Sequence, residues 1–203
     1  MKKYPAIAIV EFRDIAPGIH ATDAMLKKAP ISVIKSGMIS PGRFLTLIGG
    51  TTASVDESLE EALFWARDHI VDHVMLPDVH PQLHDAVLGR RFKAEGGSMA
   101  IIETPTVSCN VRAAELALKG TPVSLTEIRL ADSWLNGKGV SLYRGELHDI
   151  EAAVDLAVSF LQQTGVRPVH RIIPAPHEAL GLQADAGPYF PETAPTELEG
   201  ENF

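Results

Sequence analysis

The stretch Ala8-Ile9-Val10-Glu11 returns as Ala100-Ile101-Ile102-Glu103, a shift of 92 residues. Such a recurrence decides whether one large fold or two copies of a smaller one must be built. At the same shift, Lys27-Lys28-Ala29-Pro30-Ile31-Ser32 becomes Lys119-Gly120-Thr121-Pro122-Val123-Ser124. Later landmarks drift, Gly50 to Gly145 at 95 and Pro77-Asp78-Val79-His80 to Pro174-Ala175-Pro176-His177 at 97. The drift grows where loops belong, so the chain reads as two copies of one domain. They span 1–93 and 97–183, with a linker around Ala94-Glu95-Gly96-Gly97 and a tail at 184–203.

Apolar spacing fills in each copy. Ile15, Ile19, Thr22 and Leu26 follow i, i+4, i+7, i+11, one stripe of a helix, and Val107, Val111, Ala114 and Leu118 repeat it. A second helix carries Val55, Leu59, Ala62 and Ala66, matched by Ile150, Val154, Ala157 and Leu161. Asp56 and Glu57, then Asp149 and Glu151, lie near its start, where a carboxylate favours the helix dipole. Strands are expected at 6–12, 31–38, 43–48 and 72–76, and at 99–104, 123–131, 139–143 and 169–173. Each copy is therefore β-α-β-β-α-β. The fold class is α+β, two tandem split β-α-β (ferredoxin-like) domains, each a four-stranded antiparallel sheet with both helices on one face.

Composition narrows the function. The 203 residues include 18 Lys+Arg, 26 Asp+Glu and one Cys, for a net charge of −8. That balance, without a basic stripe, excludes a nucleic-acid binder. One Cys cannot form an internal disulfide or a four-Cys metal site. The start at Met1 has two lysines and a short apolar run ended by Glu11, too short for a signal peptide. No segment reaches the roughly 18 apolar residues of a membrane span, so a soluble cytosolic protein is expected. Asp185, Glu192, Glu197, Glu199 and Glu201, with Pro188, Pro191 and Pro195 and no basic residue, mark 184–203 as a flexible acidic tail. A mean hydropathy of +0.06 leaves apolar surface for contacts between subunits.

The Ala-Ile-Val-Glu run, the helix Ala21 to Ala29, Gly49-Gly50 before the second helix and the closing Pro-x-x-His-x-x-Leu resemble the bacterial microcompartment (BMC) shell domain. The likeness covers nearly all of 5–183, twice, in the unpermuted order of the tandem-domain, trimer-forming type. It is greatest to the propanediol-utilisation members, whose Cys-Pro-Gly-Lys-Phe-Leu stands here as Ser40-Pro41-Gly42-Arg43-Phe44-Leu45. The resemblance implies a structural, non-enzymatic protein of a shell in the cytoplasm. Its homotrimers would be pseudohexameric, tiling with hexameric and pentameric shell proteins around encapsulated enzymes. The loops Ser40-Pro41-Gly42 and Leu135-Asn136-Gly137 would converge on a central pore for small metabolites. Glycine suits such a place because backbones from six domains must approach closely.

In the similar proteins, a cysteine at position 40 from each of three chains holds an iron–sulfur cluster. A hydroxyl is a poor substitute for thiolate, so Ser40 disfavours the alternative of an electron-transfer shell protein, and no metal or cofactor is expected. Arg43 and Lys138 follow the two loops. They form either a basic ring attracting anions, or solvated strand-end charges or a salt bridge across the trimer interface. Trp134 precedes the second loop and either packs beneath it or narrows the opening. Lys27 and Lys119 take the family's tile-edge position, although Asp78 and Ala175 replace the arginine usual in the closing motif.

Several residues read as structural. His80 and His177 are expected as helix-start or packing residues, Cys109 as a buried small hydrophobe and Trp65 as core. Glu11 and Glu103 share one place at a strand end. Gly49-Gly50 is a turn before a helix, too short for a phosphate loop. An enzyme or ligand-binding regulator on this fold would need such a loop or an activated nucleophile, and the sequence offers neither.

Overall fold

The protein, a computed structural model, is described over residues 4–93, 97–132, 134–186, 193–198 and 200. The first copy comprises β1 (Ala6–Phe12), α1 (Ile15–Lys28), β2 (Val33–Ile39), β3 (Arg43–Gly50), α2 (Thr52–Trp65) and β4 (Ile70–Leu76). A short helix α3 (Pro81–Val87) leads toward the second copy. That copy is built from β5 (Ser98–Thr104), α4 (Val107–Gly120), β6 (Ser124–Leu130), β7 (Gly139–Gly145), α5 (Leu147–Gln163) and β8 (Val169–Ile173), and α6 (Glu178–Ala186) follows. The sheets run β2-β3-β1-β4 and β6-β7-β5-β8, antiparallel throughout, as the split β-α-β reading requires.

Two elements were not expected from the sequence, α3 and α6, each too short or too polar to show a stripe. Each starts on the repeated histidine. His80 Nδ1 accepts from Gln82 N at 3.3 Å and His177 Nδ1 from Ala179 N at 3.2 Å, the helix-start role expected of them. Helix α6 carries the chain three residues into the segment read as tail. Gln183 on it donates to Ala194 O at 2.9 Å and to Thr196 Oγ1, while 187–192, 199 and 201–203 lie outside the described residues, as do linker residues 94–96. Gly49-Gly50 is not a turn but the end of β3, paired with Ile7 and Ala6.

The first helix also differs from its expected stripe. Helix α1 buries Gly18, Ala21, Thr22 and Met25, whereas Ile19 and Leu26 are exposed. Glycine at 18 sets this face, since a Cβ there would stand 2.9 Å from that of Phe44. The second copy inverts the arrangement. Asn110 replaces Gly18, and the facing strand yields with Gly139, whose added Cβ would fall 2.5 Å from that of Asn110. One large and one small residue meet at both contacts, in opposite order.

Both faces of β1 are covered, and all seven of its residues are buried. Ala6, Ala8, Val10 and Phe12 join the core beneath α1 and α2, while Ile7 and Ile9 enter a second cluster with Val107, Val111 and Leu83. The back of the first sheet thus packs on α4, while α3 packs on β6 and α4, and the two copies share one continuous core across a seam.

Candidate functional site

The seam holds acidic groups of the first copy against the second. Glu11 on β1 is fully buried, and its Oε1 accepts from Ser108 N at 2.7 Å in the first turn of α4. Asp72 on β4 accepts from the hydroxyl of Thr106, the α4 N-cap, and from the Cys109 thiol at 3.2 Å. Two acids of the first copy therefore meet the positive end of a helix of the second. Burial, aided by Asp72, still pushes the Glu11 carboxyl up to about 7. Burial also raises the Cys109 thiol to about 11. Cys109 is thus half-buried and hydrogen-bonded, not a buried hydrophobe. A cleft of about 400 Å³ beside it is lined by Asp72, His73, Arg112 and Phe160. At the far end of the seam, Lys119 reaches Glu115 at 2.8 Å and Asp78 through both its carbonyl and its carboxylate, which raises the Lys119 pKa. Lys27, its counterpart, binds Asp23 one turn away on its own helix.

At the other end of the seam the two expected pore loops meet. Loop 40–42 turns between β2 and β3 with Gly42 at φ +67°. Between β6 and β7 the chain needs more residues, and three backbone hydrogen bonds close them: Ala131 N to Lys138 O, Leu135 N to Asp132 O, and Lys138 N to Leu135 O, at 3.0–3.1 Å. Ala131, Trp134 and Asn136 all adopt positive φ there, at 51°, 83° and 51°. Gly137 follows at +84° and is buried, because a Cβ on it would lie 2.8 Å from Arg43 Nη1 and 3.7 Å from Pro41 Cδ. Ser40 and Leu135 are half-buried, while Pro41, Gly42 and Asn136 are exposed.

The charges around these loops are largely spoken for. Lys138 pairs with Glu103 at 2.7 Å, and Arg129 grips Asp132 at 2.8 and 3.1 Å. Arg43 lies under Gly137 with Nη1 buried. Trp134 does not pack beneath the loop; it stands exposed. Trp65 is likewise no core residue. It sits half in solvent, edge-on to His20 and Phe64, with Nε1 donating to Glu61 at 2.7 Å. An iron–sulfur cluster does not fit these loops. Ser40 supplies a hydroxyl where a thiolate is needed, and the Cys109 thiol is held by Asp72.

Sequence reasoning found both loops but not their contact. It gave Glu11 and Glu103 one shared role, whereas the fold buries Glu11 and leaves Glu103 with Lys138. The departure from repeat symmetry was visible as Asp72 against Val169, residues aligned by their pairing with Glu11 and Glu103.

The profile of the BMC domain matches residues 6–79 and again 98–176. The bacterial microcompartment shell protein PduT of Citrobacter freundii is 32% identical over 182 residues, spanning 90% of this chain and 98% of PduT. A microcompartments protein from Desulfitobacterium hafniense DCB superposes with a TM-score of 0.76 at 32% identity, over 86% of this chain and 97% of that one. The fused permuted hexameric shell protein MSM0275 of the RMM microcompartment shares the fold, with a TM-score of 0.56 at 19% identity over 77% and 81% of the two chains.

Proposed function

The chain belongs to the bacterial microcompartment shell-protein family, and from that premise we propose that three copies close head to tail into a pseudohexameric ring framing a central pore. The two domains, 1–93 and 97–183, supply six units to the ring. The observation that carries this reading is a seam with two open ends. Helix α4 buries Val111 at 0% and Leu118 at 5% against the first copy, whereas their α1 counterparts Ile19 and Leu26 are 53% and 46% exposed. On the opposite side, Ile7, Ile9 and Glu11 are buried by α4, but Ile101 and Glu103 of the second sheet are only half-buried and Val169 is 59% exposed. The second copy thus presents the face that the first has already used, and the first presents the face that the second has used. A heterologous contact of this kind propagates from chain to chain and closes into a ring where its rotation allows.

In such a ring the paired loops of all three chains recur around one axis, which supports Ser40, Pro41, Gly42, Leu135, Asn136 and Gly137 as pore-lining residues. Lys27 and Lys119 then lie at tile edges, facing the hexamers and pentamers of a facet. The role is structural and conductive, with small metabolites passing to enzymes enclosed by the shell. Among the described residues no helix is long and apolar enough to cross a membrane. Sedimentation at micromolar concentration should give three times the 21.9 kDa of one chain, and electron microscopy flat particles with an axial hole. A persistent monomer would overturn the reading.

A further inference from the structure

The pore reading leaves open what the opening favours, and the loop between β6 and β7 bears on that. We infer that Trp134, contributed by each of three chains, forms an uncharged collar at the pore mouth that favours neutral, partly apolar organic solutes over ions. The inference rests on the ring proposed above, since the collar is incomplete without the partner copies.

Three observations carry it. Trp134 is 85% exposed, more than any other large apolar side chain described. An indole prefers burial with its N–H satisfied, so one held in water at a loop tip is placed for a contact that a single chain cannot make. Its backbone stands at φ +83°, and the only other non-glycine residues at positive φ among the described residues, Ala131 and Asn136, are in the same loop. A bulky side chain keeps such a conformation only where its surroundings enforce it, as the three closing hydrogen bonds do here. The third observation is the pairing of the neighbouring charges. Lys138 with Glu103 and Arg129 with Asp132 leave two of the nearby cations beside carboxylates, and Arg43 lies under Gly137 with its Nη1 buried, which weakens the basic ring that the sequence suggested. A constriction walled by aromatic surface, with Lys138 and Arg129 paired and Arg43 withdrawn beneath the loop, opposes the entry of hydrated ions of either sign and admits solutes that shed water readily.

Collisional quenching tests this directly. The chain has two tryptophans, so Trp65→Phe leaves Trp134 as the reporter; Trp65→Tyr, excited at the red edge, serves if the phenylalanine variant misfolds. Neutral acrylamide, iodide and caesium are compared at constant ionic strength on the trimer. Acrylamide should quench about threefold more strongly than either ion, with iodide and caesium nearly equal. In a chain made monomeric by Ile19→Glu, both ions should recover most of that difference. Glu103→Gln should then release Lys138 and raise iodide quenching about twofold while lowering that of caesium. Iodide exceeding caesium about threefold in the unaltered trimer would restore a basic ring and overturn the collar. Identical quenching in trimer and monomer would place the indole outside the opening and overturn it too. Sedimentation of the same samples separates the cases. A trimer with charge-biased quenching defeats only the collar, whereas a monomeric parent chain defeats the ring itself.

Discussion

The seam inside the chain and the seam its open ends would make are built from the same elements with opposite chemistry. Inside, Glu11 and Asp72 meet Thr106, Ser108 and Cys109 at the start of α4. At the open ends those positions become Glu103 and Val169 on one side and Asp14, Ala16 and Pro17 on the other. Pro17 has no N–H, so α1 presents one fewer orphan donor and asks less of an acid. The difference follows from connectivity. A linker holds the two copies at high effective concentration, so their seam tolerates a costly buried carboxylate. A seam between separate chains must generate its own affinity, and apolar surface does that best.

The largest expected effect breaks the open seam while sparing the closed one. Ile19→Glu should abolish trimer formation, weakening association by more than about 4 kcal/mol, because a charge would sit unpaired in the contact. Far-UV circular dichroism and the melting of the single chain should change little. The equivalent Val111→Glu should instead unfold the chain. If Ile19→Glu still sediments as a trimer, α1 is not the open face.

Glu11 is the next lever, and its sign is distinctive. Its carboxyl titrates near 7 when folded, against an ordinary value of 4.5, so the native state holds a proton that the unfolded chain has lost between those limits. Stability should fall as pH rises from about 4.5 to 7 and then level off. Glu11→Gln should remove that slope while keeping an acceptor for Ser108 N–H. At pH 8 it should stabilise the chain by about 2 kcal/mol, less than the full shift implies because the helix loses a charged cap. Urea melts across pH check this. Glu103→Gln, at the open end, should change monomer stability by under about 0.5 kcal/mol, as exposed pairs do. A flat profile for the parent chain would mean that Glu11 is hydrated.

How far the sequence foretold this contrast depends on periodicity. The strands, the second helix of each copy and the two loops were legible because each carries a local pattern. The α1 stripe misled at two of its four positions, because Ile19 and Leu26 follow a helical period yet are exposed, while the buried Gly18 and Ala21 are too small to register. Helices α3 and α6 escaped for a related reason: they are short, seven and nine residues, and each is anchored by a histidine. Contact between Gly137 and Arg43 was beyond reach, since it joins residues about ninety apart through the packing of two domains.

Cys109 reports the polar seam from within. Its thiol, raised to about 11 by burial with Asp72 contributing, should be about a hundredfold slower toward iodoacetamide at pH 8 than one at the ordinary value of 9.0. Asp72→Asn removes the nearby charge and should speed the reaction about tenfold. No change would assign the low reactivity to burial alone. The corresponding Val169→Asn, outside this seam, should leave the rate untouched.

The smallest effect compares the two loops where they touch. Gly42 and Gly137 both stand at positive φ, but an added Cβ at Gly42 meets nothing within 4 Å, whereas at Gly137 it meets Arg43 Nη1 at 2.8 Å. Gly42→Ala should therefore cost only the backbone penalty, about 1 kcal/mol, and Gly137→Ala about 1 kcal/mol more. Combining Gly137→Ala with Arg43→Ala should recover that extra cost, because the obstruction is a flexible side chain with no other demand on the space. Chemical denaturation of the four variants resolves the cycle. Equal costs at the two glycines would mean that the loops part readily, and the seam would then be held by Glu11, Asp72 and the apolar core without help from the end where the loops touch.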